Sequence, residues 1–264
     1  MGILNVTPDS FADTEHFMDA GRAIDAALHM EAEGADLIDV GGESTRPGAD
    51  PLSLADELAR VLPVLRVLAP QLRVPISIDT YKADVARAAI EAGASIINDV
   101  SGLIYEPALA RTAAAAGAAL LLMHTRGRSR TMYAEARYED VVAEVTAELR
   151  KSIDVATGAG VDIDRIMVDP GIGFAKQAIH SYGVLARLPE LAISLDRPLV
   201  VGPSRKSFMR AALGDRPAAE RDWGTAAAVT AAVLAGAHIV RVHAVGAMVQ
   251  VTRVAEEIRT QGLE

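Results

Sequence analysis

The sequence predicts an α/β fold, a (β/α)8 or TIM barrel built as a single domain over residues 1–264. Eight short apolar runs alternate with helix-like segments, which is the pattern of a parallel barrel. Nearly every apolar run ends in polar residues, as expected where barrel strands open onto a catalytic face. Glycines recur between a helix and the next strand, where glycine commonly closes a helix; they are Gly34, Gly93, Gly117 and Gly236.

The apolar runs and the periodic segments between them predict the elements in chain order. The predicted strands are 2–7, 36–44, 76–80, 95–102, 120–127, 166–174, 199–207 and 239–245. The predicted helices are 20–33, 53–69, 82–92, 107–116, 138–158, 181–188, 222–235 and 246–260. The segment 55–68 repeats apolar residues every three to four positions, so one helix face packs on a core. The irregular segments 8–20, 44–52, 125–137 and 203–221 are then loops of the catalytic face.

The composition excludes several classes of function. A net charge of −9 disfavours binding to nucleic acid, and the absence of cysteine excludes disulfides and thiolate chemistry. No uncharged apolar run reaches the length of a membrane span and no signal peptide is expected, so the sequence favours a cytoplasmic protein. Any anion site must be built locally from Arg, Lys, helix N-termini or a metal.

Three polar residues end predicted strands 3, 4 and 6, and we expect them to point into the barrel mouth. They are Asp79, Asn98 and Asp169. Together they suit a heterocycle that presents adjacent N–H and amino groups, because a buried carboxylate needs paired donors. A single Asp at this position commonly caps the following helix, but three at one level favour a binding site.

Three motifs supply cations and hydroxyls. Lys206 and Ser207 follow strand 7, where barrels often bind anions, although a solvated basic cluster is the alternative. Arg241 and His243 alternate onto one side of strand 8, so both can meet one phosphate group. The segment 38–48 combines a Gly-Gly turn with hydroxyls and an arginine, and it is either a ligand loop or an ordinary turn. Metal-binding H-E-x-x-H, nucleophile-elbow, Walker and dinucleotide fingerprints are absent from the sequence.

Eight motifs follow one another along the chain: NVTPDSF (5–11), IDVGGESTRPG (38–48), SIDTYKADVA (77–86), INDVSG (97–102), LMH (122–124), DPGIGFAK (169–176), SRKSF (204–208) and RVH (241–243). In this order they resemble the bacterial dihydropteroate synthase family over nearly the whole chain. The resemblance implies a homodimeric barrel transferase of folate biosynthesis that is a sulfonamide target. It implies condensation of 6-hydroxymethyl-7,8-dihydropterin diphosphate with p-aminobenzoate to give 7,8-dihydropteroate, with pyrophosphate released and Mg²⁺ as cofactor.

The resemblance also implies roles for individual residues. The pterin would be held by Asp79, Asn98, Asp169 and Lys206. The diphosphate would be held by Asn5, Arg241 and His243, with Asn5 as the metal ligand. The p-aminobenzoate side would be lined by Thr45, Arg46, Pro47, Phe174 and Ser207. The catalytic residues would be Asp13, Arg241 and His243, and Asp9 and Asp13 belong to a first loop that closes over the site.

The chain departs from the family pattern at three places, and these keep other functions open. Ala244 replaces the usual Asp after His243, Ser181 replaces a common Asn, and 12–15 lacks the usual two glycines. One alternative is a divergent pterin-binding paralogue that is catalytically weak or insensitive to sulfonamides. Another is a barrel like the methyltetrahydrofolate methyltransferases, which explains the pterin residues but gives the SRKSF and RVH motifs no role.

Overall fold

A computed structural model describes residues 1–6, 16–45 and 48–262, with the backbone alone at 16–19. Four residues expected at the site, Asp9, Asp13, Arg46 and Pro47, lie outside the described residues. Within the described ranges the strands are β1 (Gly2–Asn5), β2 (Ile38–Gly41), β3 (Ile76–Asp79), β4 (Ile96–Asp99), β5 (Ala119–Met123), β6 (Ile166–Asp169), β7 (Val200–Val201) and β8 (Ile239–Val240). Strands β1 to β6 pair in sequence order and β7 pairs with β8, all in parallel.

Two further contacts close these strands into a barrel. Val168 of β6 forms a parallel bridge with Leu199, next to β7. On the other side, Val242 after β8 bridges to Gly2 of β1, and the Ile3 N–H donates to the Val242 carbonyl at 3.0 Å. The predicted (β/α)8 barrel is therefore confirmed.

Helices cover the outside of the barrel. They are α1 (His16–Ala32), α2 (Leu54–Leu68), α3 (Ala83–Glu91), α4 (Leu109–Ala116), α5 (Val141–Gly158), α6 (Ala178–Ala186), α7 (Leu188–Leu195), α8 (Arg210–Leu213), α9 (Asp222–Leu234) and α10 (Val245–Gln261). The predicted junction glycines close or follow helices with positive φ, for example 62° at Gly117. No helix in the described ranges is long and apolar enough to cross a membrane.

Two differences from the predicted helices have local causes. The helix expected at 181–188 begins at Ala178, and α7 follows it directly because Pro189 starts a new helix in its first turn. In the loop after β7, α8 has only four residues and ends at Gly214, whose φ of 72° does not continue a helix.

Alternation along the strands separates the apolar core from the site. Ile38, Val40 and Ile78 face outward and are fully buried against the helices, in one continuous core cluster. Ile3 and Leu121 have the opposite phase and are buried outside the core clusters, so they fill the barrel interior. At the carboxyl ends of the strands, this same inward phase brings polar side chains to the barrel mouth.

Candidate active site at the barrel mouth

Three polar side chains from different strands meet at the barrel mouth. Asp79 ends β3 and lies in direct register with Asn98, the last residue but one of β4, and Asp169 ends β6. Asp79 is 9% exposed, while Asn98 and Asp169 are each 4% exposed. The Gly171 N–H donates to Asp169 Oδ1 at 2.7 Å, so the chain folds back over this carboxylate. The structure thus brings these three side chains together at the barrel mouth, where the sequence analysis expected them.

Arg241 lies across the mouth and joins two carboxylates. Its Nε donates to Asp39 Oδ2 at 2.6 Å, and its Nη2 donates to Asp79 Oδ2 at 2.8 Å. The Asn98 amide donates to the same Asp39 oxygen at 3.0 Å. Sequence reasoning missed Asp39, although an Asp between Ile38 and Val40 in an apolar strand is itself a signal. Asp39 thus links Asn98, expected at the pterin, to Arg241, expected at the diphosphate.

Burial sets the ionisation of these groups. Burial raises the pKa of Asp79 to about 7, against the opposing field of Arg241. It also raises the pKa of Asp169, which Lys206 and the Gly171 N–H oppose. Burial lowers the pKa of Lys206 to about 8. Near neutral pH the mouth therefore holds carboxylates that are poorly solvated, and N–H donors of a ligand would stabilise their charged form.

Lys206 lies beside Asp169 and above an aromatic ring. Its Nζ donates to the Ile172 carbonyl at 2.6 Å and lies 4.4 Å from the centroid of the Phe174 ring. Gly202 of the same loop passes close beneath, because a β-carbon there would lie 3.7 Å from Asp169 Oδ2 and 3.8 Å from Lys206 Nζ. Lys206, Asp169 and Phe174 thus form one wall of the mouth.

A cavity of about 280 Å³ opens beside this wall. Thr45 and Phe174, both expected on the p-aminobenzoate side, are among its lining residues, with Glu43, Tyr81 and Arg128. The Glu43 carboxylate accepts hydrogen bonds from Tyr81 Oη, Lys82 Nζ and the Leu52 N–H. These bonds hold Glu43 and Leu52, which lie on either side of residues 46 and 47 in the loop after β2.

Ser207 lies after β7 as expected, but the helix that it begins is short. A single 3-10 turn, Ser207–Met209, leads into the four-residue α8. Its dipole is correspondingly weak, so an anion there would depend on the Ser207 hydroxyl and nearby amides. The hydroxyl oxygen lies 3.2 Å from Tyr133 Oη, which brings the loop after β5 to the same side.

His243 is oriented by a residue that the sequence analysis left without a role. Its Nδ1 lies 2.9 Å from Ser204 Oγ, and its backbone N–H donates to the same oxygen at 3.1 Å. Ala244 is the N-cap residue of α10 and provides no side-chain cap. An Asp at this position would be a good cap. Ser181 is buried, and its Oγ accepts from the Gly173 N–H at 3.2 Å, so it supports the turn after β6.

Asn5 ends β1 beside Gly41 and is half-buried. Its side chain donates to and accepts from no other residue in the described part of the chain, so its amide oxygen remains available as a ligand. No group of three or more His, Asp or Glu side chains within the described ranges could hold a metal ion. A metal at Asn5 would therefore take most of its oxygens from a substrate or water.

The comparisons with known proteins agree with this arrangement. The family described as "Pterin binding enzyme" matches residues 1–243. The dihydropteroate synthase of Synechocystis sp. is 46% identical over 258 residues, which cover 98% of this chain and 89% of that protein. A Xanthomonas albilineans dihydropteroate synthase solved with 4-aminobenzoic acid has a TM-score of 0.91 and 41% identity, covering 98% of this chain and 92% of that one. A Yersinia pestis dihydropteroate synthase solved as a sulfonamide drug complex has a TM-score of 0.92 and 40% identity, and the match covers 98% of this chain and 94% of that one. The chain belongs to the pterin binding enzyme family and, within it, to the dihydropteroate synthases.

Proposed function

We propose that this chain condenses 6-hydroxymethyl-7,8-dihydropterin diphosphate with p-aminobenzoate, giving 7,8-dihydropteroate and pyrophosphate. The observation that carries the proposal is the buried set of Asp79, Asn98 and Asp169 at the barrel mouth, next to Lys206 and Arg241. This donor and acceptor pattern suits a pterin, and the adjacent cations suit a diphosphate. The whole chain, residues 1–264, is assigned to one pterin-binding domain.

The site promotes the reaction mainly by electrostatic stabilisation of its transition state. The C–O bond between the pterin methylene and the diphosphate breaks, a C–N bond to the aminobenzoate amine forms, and that amine releases a proton. The dihydropterin ring stabilises positive charge at the methylene, so the residues must hold the ring and the leaving group. Arg241 and His243 hold the diphosphate, and Asp13, outside the described residues, closes the site by analogy with the family. The neutral amine nucleophile requires no general base.

Magnesium is proposed as the cofactor, with Asn5 as its protein ligand. The fit rests on the Asn5 amide oxygen at the end of β1, since Mg²⁺ prefers oxygen and commonly binds through few protein ligands together with substrate phosphates. When bound, Mg²⁺ would supply positive charge to the departing diphosphate.

The p-aminobenzoate side is assigned to Thr45, Arg46, Pro47, Phe174 and Ser207. Thr45 and Phe174 share the cavity beside the pterin wall. The same residues are the proposed contacts of sulfonamides, because those drugs imitate p-aminobenzoate.

Ser207→Ala should raise the KM for p-aminobenzoate by roughly tenfold, the scale of one hydrogen bond to a charged carboxylate. The Kd of the pterin diphosphate should stay within about twofold, because the Ser207 hydroxyl contacts Tyr133 rather than any of the residues assigned to the pterin. Steady-state kinetics with each substrate varied in turn measures both values. Ser194→Ala, an exposed serine on α7, is the matched control. Equal weakening of both substrates would indicate a general structural role for Ser207 instead.

The central experiment measures pyrophosphate release from the pterin diphosphate, with and without p-aminobenzoate and with and without Mg²⁺. Release that requires both is the expected result. Binding of the pterin diphosphate without release would favour a paralogue that has lost turnover. Methyl transfer from methyltetrahydrofolate without any condensation would favour the methyltransferase reading.

The proposed assembly is a homodimer in the cytoplasm. Ile179 on α6 and Trp223 on α9 are 73% and 89% exposed, and Tyr182 is 38% exposed beside Phe208. Large apolar side chains on neighbouring helices suit a second copy of the chain. The cytoplasm is proposed because a charged diphosphate substrate does not cross a bilayer unaided.

Trp223→Glu should convert the dimer into a monomer, because a charge would replace an apolar ring in the interface. Sedimentation velocity at micromolar concentration measures the change. Ile104→Glu, at a residue 60% exposed after β4, serves as the control and should remain dimeric. A Trp223→Glu protein that is still dimeric would exclude this face as the interface.

A further inference from the structure

Lys176, between β6 and α6, is an unusual lysine. The chain has only four lysines among its 26 Lys and Arg residues. Lys176 is 1% exposed and is among the largest fully buried side chains of the described residues. Burying an ammonium group is strongly unfavourable unless its surroundings compensate for the lost water. A lysine buried in this way is a candidate for a role in a functional site.

The ammonium group is held by a neutral imidazole rather than a carboxylate. Lys176 Nζ lies 2.8 Å from His124 Nδ1 and donates to the Phe174 carbonyl at 3.2 Å. Burial lowers the pKa of His124 to about 4, so the ring is neutral and its Nδ1 accepts from Lys176. The other ring nitrogen, Nε2, lies 2.9 Å from Glu148 Oε2 and donates to it. Hydrogen bonds from His124 and Arg126 outweigh burial and hold the pKa of Glu148 at about 2.

The Lys176 ammonium group lies directly behind the turn that carries Asp169. A β-carbon on Gly171 would lie 3.5 Å from Lys176 Nζ and only 1.9 Å from the His124 carbonyl oxygen. The Gly171 N–H donates to Asp169 Oδ1 at 2.7 Å, and the His124 N–H donates to the Asp169 carbonyl at 2.9 Å. Lys176, His124 and Asp169 therefore pack around one glycine, with the carboxylate facing the mouth and the ammonium group behind it.

We propose that Lys176 is a positioning residue for the pterin site, whose charge keeps the Asp169 carboxylate ionised and whose hydrogen bonds fix the turn after β6. This inference rests on the proposed function, in which Asp169 accepts N–H donors of the pterin. Protonated Asp169 would lose an acceptor oxygen and weaken that contact. Through His124, Glu148 holds Lys176 in place without pairing with it directly.

Several charged and titratable groups of the described residues surround Lys176 and Asp169. Those that act on Lys176 are Asp169, Lys206, Glu148 and Arg126. The neutral His124 is in contact with it, and the centroid of the Tyr138 ring lies 5.9 Å away. His180 packs on the Tyr138 ring, and burial together with Lys176 lowers its pKa. Those that act on Asp169 are Lys206, Arg241 and Lys176. Burial lowers the pKa of Lys176 to about 7, and Asp169 is the main group that opposes the shift. The ammonium form is thus present below about pH 7 and is lost above it.

The test measures the Kd of 6-hydroxymethylpterin by its fluorescence, between pH 6 and 8.5, in the wild type and in Lys176→Met. Methionine keeps the chain length but removes the charge, so the pKa of Asp169 rises further in the variant. We expect binding to weaken by roughly tenfold at pH 6, because Asp169 is then less ionised in the variant than in the wild type. The difference should shrink to about twofold at pH 8.5, because Lys176 is then neutral in the wild type as well. Titration of Asp79 affects both proteins, so the ratio of the two Kd values isolates Lys176.

Lys151→Met removes the same charge from an exposed position on α5, and it should bind the pterin like the wild type at every pH. A Kd ratio between Lys176→Met and the wild type that does not change with pH would overturn the inference. A wild type that does not bind 6-hydroxymethylpterin at all would instead overturn the proposed function, and with it this inference. The two failures are therefore distinguishable.

A second measurement on the wild type serves if Lys176→Met does not fold. With lysine labelled at the ε-carbon, the NMR spectrum contains only four signals, which Lys82→Arg, Lys151→Arg and Lys206→Arg assign by elimination. Because coupling is reciprocal, a ligand that Lys176 favours must in turn favour the charged form of Lys176. We expect 6-hydroxymethylpterin to raise the pKa at which the Lys176 signal titrates. An unchanged or lowered pKa would overturn the inference.

Discussion

Asp169→Asn should lower kcat/KM for the pterin diphosphate by roughly 30- to 1000-fold, which corresponds to about 2–4 kcal/mol for a buried hydrogen-bonded carboxylate. The reason is local. Asp169 is 4% exposed and already accepts one backbone N–H at Oδ1, so Oδ2 faces the mouth beside Lys206. An amide at this position would place an NH2 group either against the Gly171 N–H or against the donors of the pterin.

Steady-state kinetics with the pterin diphosphate varied measures this loss, and thermal unfolding checks that the variant is folded. Asp154→Asn makes the same change at an exposed position on α5 and should leave kcat/KM unchanged. The assignment of Asp169 to the pterin has to be abandoned if the Asp169→Asn enzyme keeps the kcat/KM of the wild type.

The sequence carried enough information for the fold because its signals are local and repeated. Polar residues at strand ends, such as Asp79, Asn98 and Asp169, are set by the period of two within a strand and by the shared edge of parallel strands. The closing contacts, Val168 to Leu199 and Gly2 to Val242, follow from barrel geometry. Helix boundaries were less predictable where one helix follows another without a loop, as at α7, which has Pro189 in its first turn.

The supporting residues of the site were missed because their roles depend on partners distant in sequence. Asp39 meets Arg241 across 202 positions, and Lys176 meets His124 across 52. Neither pairing leaves a spacing that can be read along the chain. Ser204 belongs to the SRKSF motif, but its contact with His243 could not be predicted because it depends on the pairing of β7 with β8. A charged residue inside an apolar stretch, as at Asp39, is the one signal that points to such a role without coordinates.

Arg241→Ala and His243→Ala should each lower kcat/KM by roughly 10- to 1000-fold, the range for the loss of one preorganised electrostatic contact. Arg241 donates through Nε to Asp39 and through Nη2 to Asp79. Its Nη1 donates to no acceptor in the described part of the chain, so it is available for a diphosphate oxygen. Ser204 fixes the His243 ring through Nδ1. If both side chains grip one diphosphate, the double variant should be little worse than the poorer single variant.

The double-mutant cycle should be measured twice, because Arg241→Ala has a second effect. It leaves the Asp39 and Asp79 carboxylates without their cation, which is costly for buried charges and weakens the pterin side as well. The Kd of 6-hydroxymethylpterin, which has no diphosphate, measures that part alone, and His243→Ala should leave it unchanged. Both losses are expressed as free energies. Subtracting the loss in pterin binding from the loss in transition-state stabilisation, which kcat/KM reports, gives the share that belongs to the diphosphate. If the two residues form one clamp, the remaining losses will be strongly non-additive, whereas strictly additive losses would mean that Arg241 and His243 act on separate groups.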